Sequence, residues 1–360
     1  MKRSLLFLIS AFFLIQGCDK KFNTEELVAP NTGGGNISGD TVYVQLNPAW
    51  TGFNNPQDIM IGKEPFIYVA DTDNNRIVMM NLDGQILGTR SFQKPIALAQ
   101  DYKLNLFVSA KFDTVISGQS ITLNAVFKLN LVAANHVIAN APMKKILPAA
   151  DVDINNPLRE YPSIAVFYDN SFVIARKGPS NSVLFEPDNA LLYYVVKKLP
   201  DGTEKDTLLG RMPGLDPLGS GVPSANGFST LISFNNHTLD VIAGLTGNTN
   251  FKVEWLHFVS SRDFTGYQNY ISPSSSELMT PNKFNQPEGV GLDNAGNIFV
   301  VDTEKDSVFK FNPFGDQLLA FGGTDTFNQP AGVAFFNKTL YIADSGNNRI
   351  LRFVLSTDIR

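Results

Sequence analysis

F-N-Q-P-E-G-V-G-L-D-N-A-G-N-I-F-V-V-D-T-E-K-D-S-V-F-K-F-N-P-F-G-D-Q-L-L-A-F-G-G, residues 284–323, contains four short apolar runs, each closed by a turn signal. Runs of this length and spacing read as four antiparallel strands. Val290–Leu292 is the first, followed by Asn294-Ala295-Gly296-Asn297. Ile298–Val301 is the second, ending at Asp302. Val308–Phe311 is the third, turned by Asn312-Pro313-Phe314-Gly315, and Gln317–Phe321 is the fourth.

The unit recurs. F-N-Q-P returns at Phe327, 43 residues on, and F-N-N-P stands at Phe53. The end of the second strand returns too, as Y-V-A-D-T-D-N-N-R-I from Tyr68 and Y-I-A-D-S-G-N-N-R-I from Tyr341. A four-strand unit repeating at about 40–45 residues is the mark of a β-propeller blade. One such sheet cannot bury both of its faces, so blades must pack on one another in a ring.

The pattern resembles the NHL-repeat family, whose units run F-x-x-P-x-G-[VI]-A-[VI]-D-x-x-G-N-[IL]-[YF]-V-[AV]-D-x-x-N-x-R-[IV]. It is carried by residues 53–92, 284–323 and 327–354 and is poor between them. The resemblance implies an all-β, six-bladed propeller and no particular activity.

The composition agrees with many short strands: 28 Phe, 28 Gly and 43% apolar residues in a chain of 360. Charge is sparse and the net charge is −5, which excludes a nucleic-acid binder needing a basic stripe. At the N-terminus, Met1-Lys2-Arg3 precedes an apolar run from Leu5 to Ile15 that is too short to span a bilayer. The run ends in Ile15-Gln16-Gly17-Cys18, which resembles a bacterial lipobox. Residues 1–17 are therefore expected to be a lipoprotein signal peptide and Cys18, the sole cysteine, the lipidated residue. Residues 18–40 are polar, with a Gly33-Gly34-Gly35 run, and read as a flexible tether. The expected location is the cell envelope, as an outer-membrane lipoprotein of Bacteroidota type. A chain with one cysteine has no intramolecular disulfide and no cysteine-ligated zinc.

The propeller domain is expected over residues 41–360. Thr41–Leu46 alternates like a strand, and the unit from Phe327 supplies only three strands, so the N-terminal strand is free to complete the last blade. That pairing closes the ring and removes two open sheets. Opening prolines at Pro56, Pro95, Pro162, Pro223, Pro287 and Pro330 mark six blades, with seven as the alternative because the middle intervals are wide. In the second blade the strands are expected at Ile96–Ala99, Leu106–Ala110, Ala125–Asn130 and Val137–Ala139.

The insertions share a side. Lys111–Asn124 and Arg176–Asn189 fall between second and third strands. Asn140–Tyr161, Arg211–Asn226 and Ser272–Lys283 fall between a fourth strand and the next first strand. In an up-and-down sheet both kinds of loop emerge on one face of the disc, here over blades two to four, and loops on a rigid scaffold are where binding resides. Candidate contacts for a protein or other envelope partner are Lys111, Phe112, Arg159, Tyr161, Arg176, Lys177, Phe185 and Arg211, a basic and aromatic set.

The position after the second strand reads Asp71, Ala110, Arg176, Gly244, Asp302 and Asp344. Repetition points to a structural need: Asp and Asn bond turn amides, and an adjacent Arg can link neighbouring blades. Catalytic signals are weak. Amidating lyases of similar architecture hold zinc with histidines after the opening prolines; here those positions are Gln57, Ile96, Ser163, Ser224, Glu288 and Ala331. His136, His237 and His257 lie elsewhere. Lactonases of this architecture bind a divalent cation at the channel mouth, for which Glu288, with Asp58, is the best acidic candidate. The sequence thus favours a non-catalytic binding module with no cofactor. A cation-dependent hydrolase or lyase with a cation in the central channel is the alternative, and a glycan or peptide receptor the third reading.

Overall fold

The computed structural model describes residues 41–149, 151–183, 185–234, 236–270 and 277–359. The expected signal peptide (1–17) and the Cys18 tether (18–40) lie outside the described residues.

Alternating apolar runs and tight turns fold into 24 strands in six four-stranded antiparallel sheets. Blade one is β2 (Pro56–Ile61), β3 (Ile67–Asp71), β4 (Arg76–Met80) and β5 (Ile86–Ser91). Blade two is β6 (Gln93–Gln100), β7 (Asn105–Ile116), β8 (Gln119–Asn130) and β9 (Met143–Leu147). Blade three is β10 (Ile164–Val166), β11 (Phe172–Arg176), β12 (Ala190–Lys198) and β13 (Glu204–Arg211). Blade four is β14 (Phe228–Ser233), β15 (Val241–Leu245), β16 (Val253–Ser260) and β17 (Thr265–Asn269). Blade five is β18 (Pro287–Leu292), β19 (Ile298–Asp302), β20 (Ser307–Phe311) and β21 (Gln317–Gly322).

Blade six takes β22 (Pro330–Phe336), β23 (Thr339–Asp344) and β24 (Arg349–Leu355) from the C-terminal region and β1 (Tyr43–Trp50) from the N-terminal region. β1 runs antiparallel to β24 with Tyr43 opposite Leu355 and Leu46 opposite Arg352. This is the expected closure, and it settles the blade count at six. Second strands are flanked by sheets on both sides, so β3, β11, β15 and β19 are buried throughout. Between blades the core is aromatic: Phe107 lies 4.8 Å from Phe172, and Phe172 stacks on Tyr194 at 4.9 Å.

Three expectations need correcting. Lys111–Asn124 is not a loop; β7 and β8 continue through it in register, from Lys111 opposite Asn124 to Ile116 opposite Gln119. Six residues per strand carry this hairpin about 20 Å beyond the disc. The fourth strand of blade two is Met143–Leu147, because Val137–Ala139 enters a 3-10 turn at Ile138–Asn140. Blade four opens at Phe228, since Thr230 pairs with Gly244 as Asp58 pairs with Ala70. Leu245, not Gly244, is therefore its counterpart of Asp71, and Pro223 lies upstream in the connecting segment.

The face reached by the second-to-third and fourth-to-first connections is termed upper. β1 begins at the opposite, lower face, because Tyr43 pairs with Leu355 at the far end of β24.

Candidate functional site

The repeated aspartates are seams between strands. Asp71 is buried and accepts from Asn54 N–H and Arg76 Nε, both at 2.7 Å. Asp302 accepts from Asn285 and Gln286 N–H at 2.7 and 3.0 Å. Asp344 accepts from Asn328 N–H at 2.8 Å and Arg349 Nε at 2.7 Å. Each carboxylate thus pins the segment leading into its own blade.

The joints to the next blade come from neighbouring residues. Thr72 donates to Pro95 O at 2.6 Å, Thr303 to Pro330 O at 2.7 Å, and Ser345 to Pro56 O. Asn75 Oδ1 accepts from Lys94 N–H, Asp306 Oδ1 from Gln329 N–H, and Asn348 Oδ1 from Asn55 N–H. Besides their aspartates, Arg76 and Arg349 reach the connecting backbone, at Gly52 O and Thr326 O. These groups are spent on architecture, as their repetition implied.

Six inner strands surround a central cavity of ≈ 370 Å³, within the range of small-molecule sites. Its charged lining residues are Asp58, Lys63, Lys177 and Glu288. Asp58 Oδ2 accepts from Leu98 N–H on the next inner strand at 2.7 Å. Ser163 Oγ, at the same level of blade three, accepts from Leu231 N–H at 2.9 Å. The inner strand is a sheet edge, and at these two junctions a side chain satisfies an amide that would otherwise face the channel unpaired. Between blades six and one no such side chain fits: a Cβ on Gly332 would lie 2.9 Å from Asp58 Cα and Ile59 N.

Burial pushes the Asp58 carboxyl up to about 7, against the lowering effect of the Leu98 and Ile59 amides. Burial also raises Glu288, with Lys177 opposing it and Asp302 adding to it. At the lower exit, burial lowers the Lys63 ammonium, which sits 4.0 Å above the Tyr102 ring.

The two acidic candidates therefore do share the channel. For a cation they offer few free oxygens: one Asp58 oxygen is held by an amide, and Lys63 and Lys177 line the same channel. Among the described residues no group of three or more His, Cys, Asp or Glu is placed to hold a metal. No histidine lines the channel. His257 Nδ1 pairs with buried Asp240 at 2.9 Å, His237 packs on Tyr168, and His136 approaches Glu64 at 3.7 Å.

The eight candidate contact residues separate by burial. Arg159, Tyr161 and Arg176 are 3, 1 and 2% exposed, so they are interior. Arg159 donates to Asp188 Oδ1 at 2.7 Å and Asp153 Oδ1 at 2.8 Å. Arg176 donates to Asp188 O, Pro187 O and Glu186 Oε1 at 3.0, 2.7 and 2.8 Å. Phe112 is half-buried beneath Lys145, whose Nζ lies 4.4 Å from its ring. Lys177 pairs with Glu160 at 3.1 Å and lines the channel mouth. Arg211 donates to Phe185 O at 2.9 Å, and Lys111 is exposed at the hairpin base.

Phe185 is 84% exposed. The other exposed large apolar residues on upper-face segments are Val115, Leu158, Val183 and Leu218, all on insertions of blades two to four. Of these tips only Phe185 is among the sequence candidates; Val115, Leu158, Val183 and Leu218, and channel residues such as Lys63 and Ser229, carry no separate signal in the sequence. Only their place in a blade reveals them.

The NHL repeat family profile matches residues 327–353. A search of curated protein sequences finds no match. Among solved structures the chain is similar to a gluconolactonase from Xanthomonas campestris, at 14% identity and a TM-score of 0.54, covering 88% of this chain and 90% of that one. It is similar to the PQQ-bound form of an aldose sugar dehydrogenase from Streptomyces coelicolor, at 12% and 0.54, covering 88% and 99%. It is also similar to an auxiliary nutrient binding protein from Bacteroides thetaiotaomicron, at 9% and 0.55, covering 84% and 70%. At such identities the likeness is one of fold: the chain carries an NHL repeat in a six-bladed β-propeller.

Proposed function

We propose that this chain is a lipid-anchored envelope binding module that captures a partner protein on its upper face. The observation that carries the reading is the set of exposed apolar tips on the upper-face insertions. Val115, Leu158, Val183, Phe185 and Leu218 all stand on insertions over blades two to four, with Lys111, Lys177 and Arg211 among them. Single exposed apolar residues are ordinary, and others stand on the lower and outer faces, such as Tyr102, Val132 and Phe314; the upper-face five share their insertions with basic residues, the mixture an interaction surface uses. Phe185 is the anchor of this reading, and the partner supplies an apolar pocket for it and carboxylates for Lys111.

β1 starts at the lower face, so the chain enters the propeller clear of the upper-face insertions. A photo-crosslinking residue placed at position 185, with one at the exposed lower-face residue Phe314 as control, tests the reading in native membranes. A discrete adduct at 185 and none at 314 is expected. Equal labelling at both positions, or none at 185, overturns it.

The second reading, a hydrolase or lyase acting in the channel, draws on the cavity and its two acids of raised pKa, Asp58 and Glu288. Metal analysis of purified protein discriminates: a stoichiometric divalent ion lost on Glu288→Gln favours this reading over the first.

A further inference from the structure

Residues 214–227 cross the upper face between blades three and four, bounded by glycines of positive φ, Gly214 at +90° and Gly227 at +72°. Both ends are fixed tightly. A Cβ at Gly214 would lie 2.2 Å from Tyr267 O, and one at Gly227 would lie 2.6 Å from Gly247 N. Between them only Ser224 and Ala225 are buried. Ala225 belongs to the core between blades three and four and Leu215 packs against it; elsewhere the segment is held by hydrogen bonds, with Ser220 O accepting from Asn250 N–H and Thr249 Oγ1, and Pro217 O from Asn189 Nδ2.

At its one buried point the segment meets Glu254 of β16, which is 0% exposed. Glu254 Oε2 accepts from Ser224 N–H at 2.9 Å, and Oε1 has no hydrogen-bond partner. We propose that residues 214–227 form a strap closed by the protonated Glu254 carboxyl and released when that carboxyl ionises. A neutral acid can lie beneath the strap, whereas a carboxylate there would be a buried charge with one oxygen bare.

Among the described residues no counter-charge relieves it. Ala243 stands opposite on β15. The strap's one titratable residue, Asp216, accepts from Leu218 N–H. Lys252 Nζ donates to Gly247 O, Tyr267 OH to Leu239 O, and Asp240 holds His257. From blade three, Arg176 and Arg211 are engaged with Glu186 and Tyr193 is neutral. Burial accordingly pushes the Glu254 carboxyl up to about 8, with the Ser224 amide opposing.

The sign follows from linkage. The closed form binds the proton more tightly than the open form, so closure is strongest below the ordinary glutamate value of 4.5 and weakens as pH rises to about 8. In that window the closed-to-open ratio falls up to about tenfold per pH unit, then levels. The strap carries Leu218, one of the exposed tips, but its opening is read without any partner and stands apart from the docking proposal.

The experiment is hydrogen–deuterium exchange on peptides covering 213–227, from pH 5 to 9, corrected for intrinsic exchange. The Asn328 amide, bonded to Asp344, serves as internal reference. Protection of Ser224 should fall steeply between pH 5 and 8 in the wild type and stay flat in Glu254→Gln. Flat wild-type protection, or an equal slope in Glu254→Gln, overturns the proposal. The wild-type titration alone decides if the variant fails to fold.

Discussion

At the end of the second strand, blades one, five and six place buried aspartates, Asp71, Asp302 and Asp344, while blade three places Arg176 at the same level. Both solutions hold the loops of the upper face, with opposite polarity. Each aspartate accepts amides from the short segment just before its own blade, so its partners are local and the arrangement can be repeated. Arg176 donates to Glu186, Pro187 and Asp188, and Arg159 joins Asp188 to Asp153. The arginines thereby tie two separate insertions together, before and after the first strand pair. A carboxylate seam suits a bare blade; a guanidinium cluster suits one that carries long connections.

The comparison can be broken hardest in blade three. Arg176→Met leaves the carbonyls of Pro187 and Asp188 unpaired and should cost about 3–5 kcal/mol in urea unfolding. A loss below about 1 kcal/mol would mean that the cluster is not what holds the insertions. A second contrast lies in the channel, where Asp58 and Ser163 do the same work for inner-strand amides of blades two and four. Because burial raises Asp58 to about 7, wild-type stability should fall by up to about 1.4 kcal/mol per pH unit between pH 4 and 7. Asp58→Ser, which imports the solution of blade three, should make that slope shallower, leaving the share of Glu254 and Glu288; unfolding curves at four pH values check it.

In blade six, Asp344→Ala strands the Asn328 amide and Arg349, and a loss of about 2–3 kcal/mol is expected in the same assay. Arg349→Ala, whose side chain is part-exposed, should cost no more than about 1 kcal/mol. The two values together test whether the carboxylate or its ion pair dominates the seam. The smallest effect belongs to the insertion tip: Phe185→Ser should leave stability within about 0.5 kcal/mol, so any lost capture reports contact and not folding.

What was legible in the sequence follows the same division. Blades five, six and one announce themselves because local turn chemistry repeats with the strands, and the closing strand Thr41–Leu46 could be inferred from the missing fourth strand near Phe327. Blade four hid its start because Phe228 stands where blades one, two, five and six have proline, and Pro223 drew the count upstream. In blade two, Ser117-Gly118 amid alternating residues was a hairpin signal, yet the length of Lys111–Asn124 made it read as an insertion. The fourth strand, Met143–Leu147, is largely polar in its first half and carries little β signal. The interior position of Arg159, Tyr161 and Arg176 had no local signature, since Asp153 and Asp188 are distant in sequence. Burial of a charge is decided by partners that only the fold assembles.

The seam between β1 and β24 has a consequence for how the ring comes into being. The strand that emerges first must wait for one that emerges about 300 residues later, so the final blade pairs the most distant parts of the domain. Such pairing is slow, and until it happens Tyr43–Trp50 offers a bare edge to any passing strand. The molecule's weakest moment is therefore the interval before its last blade is complete.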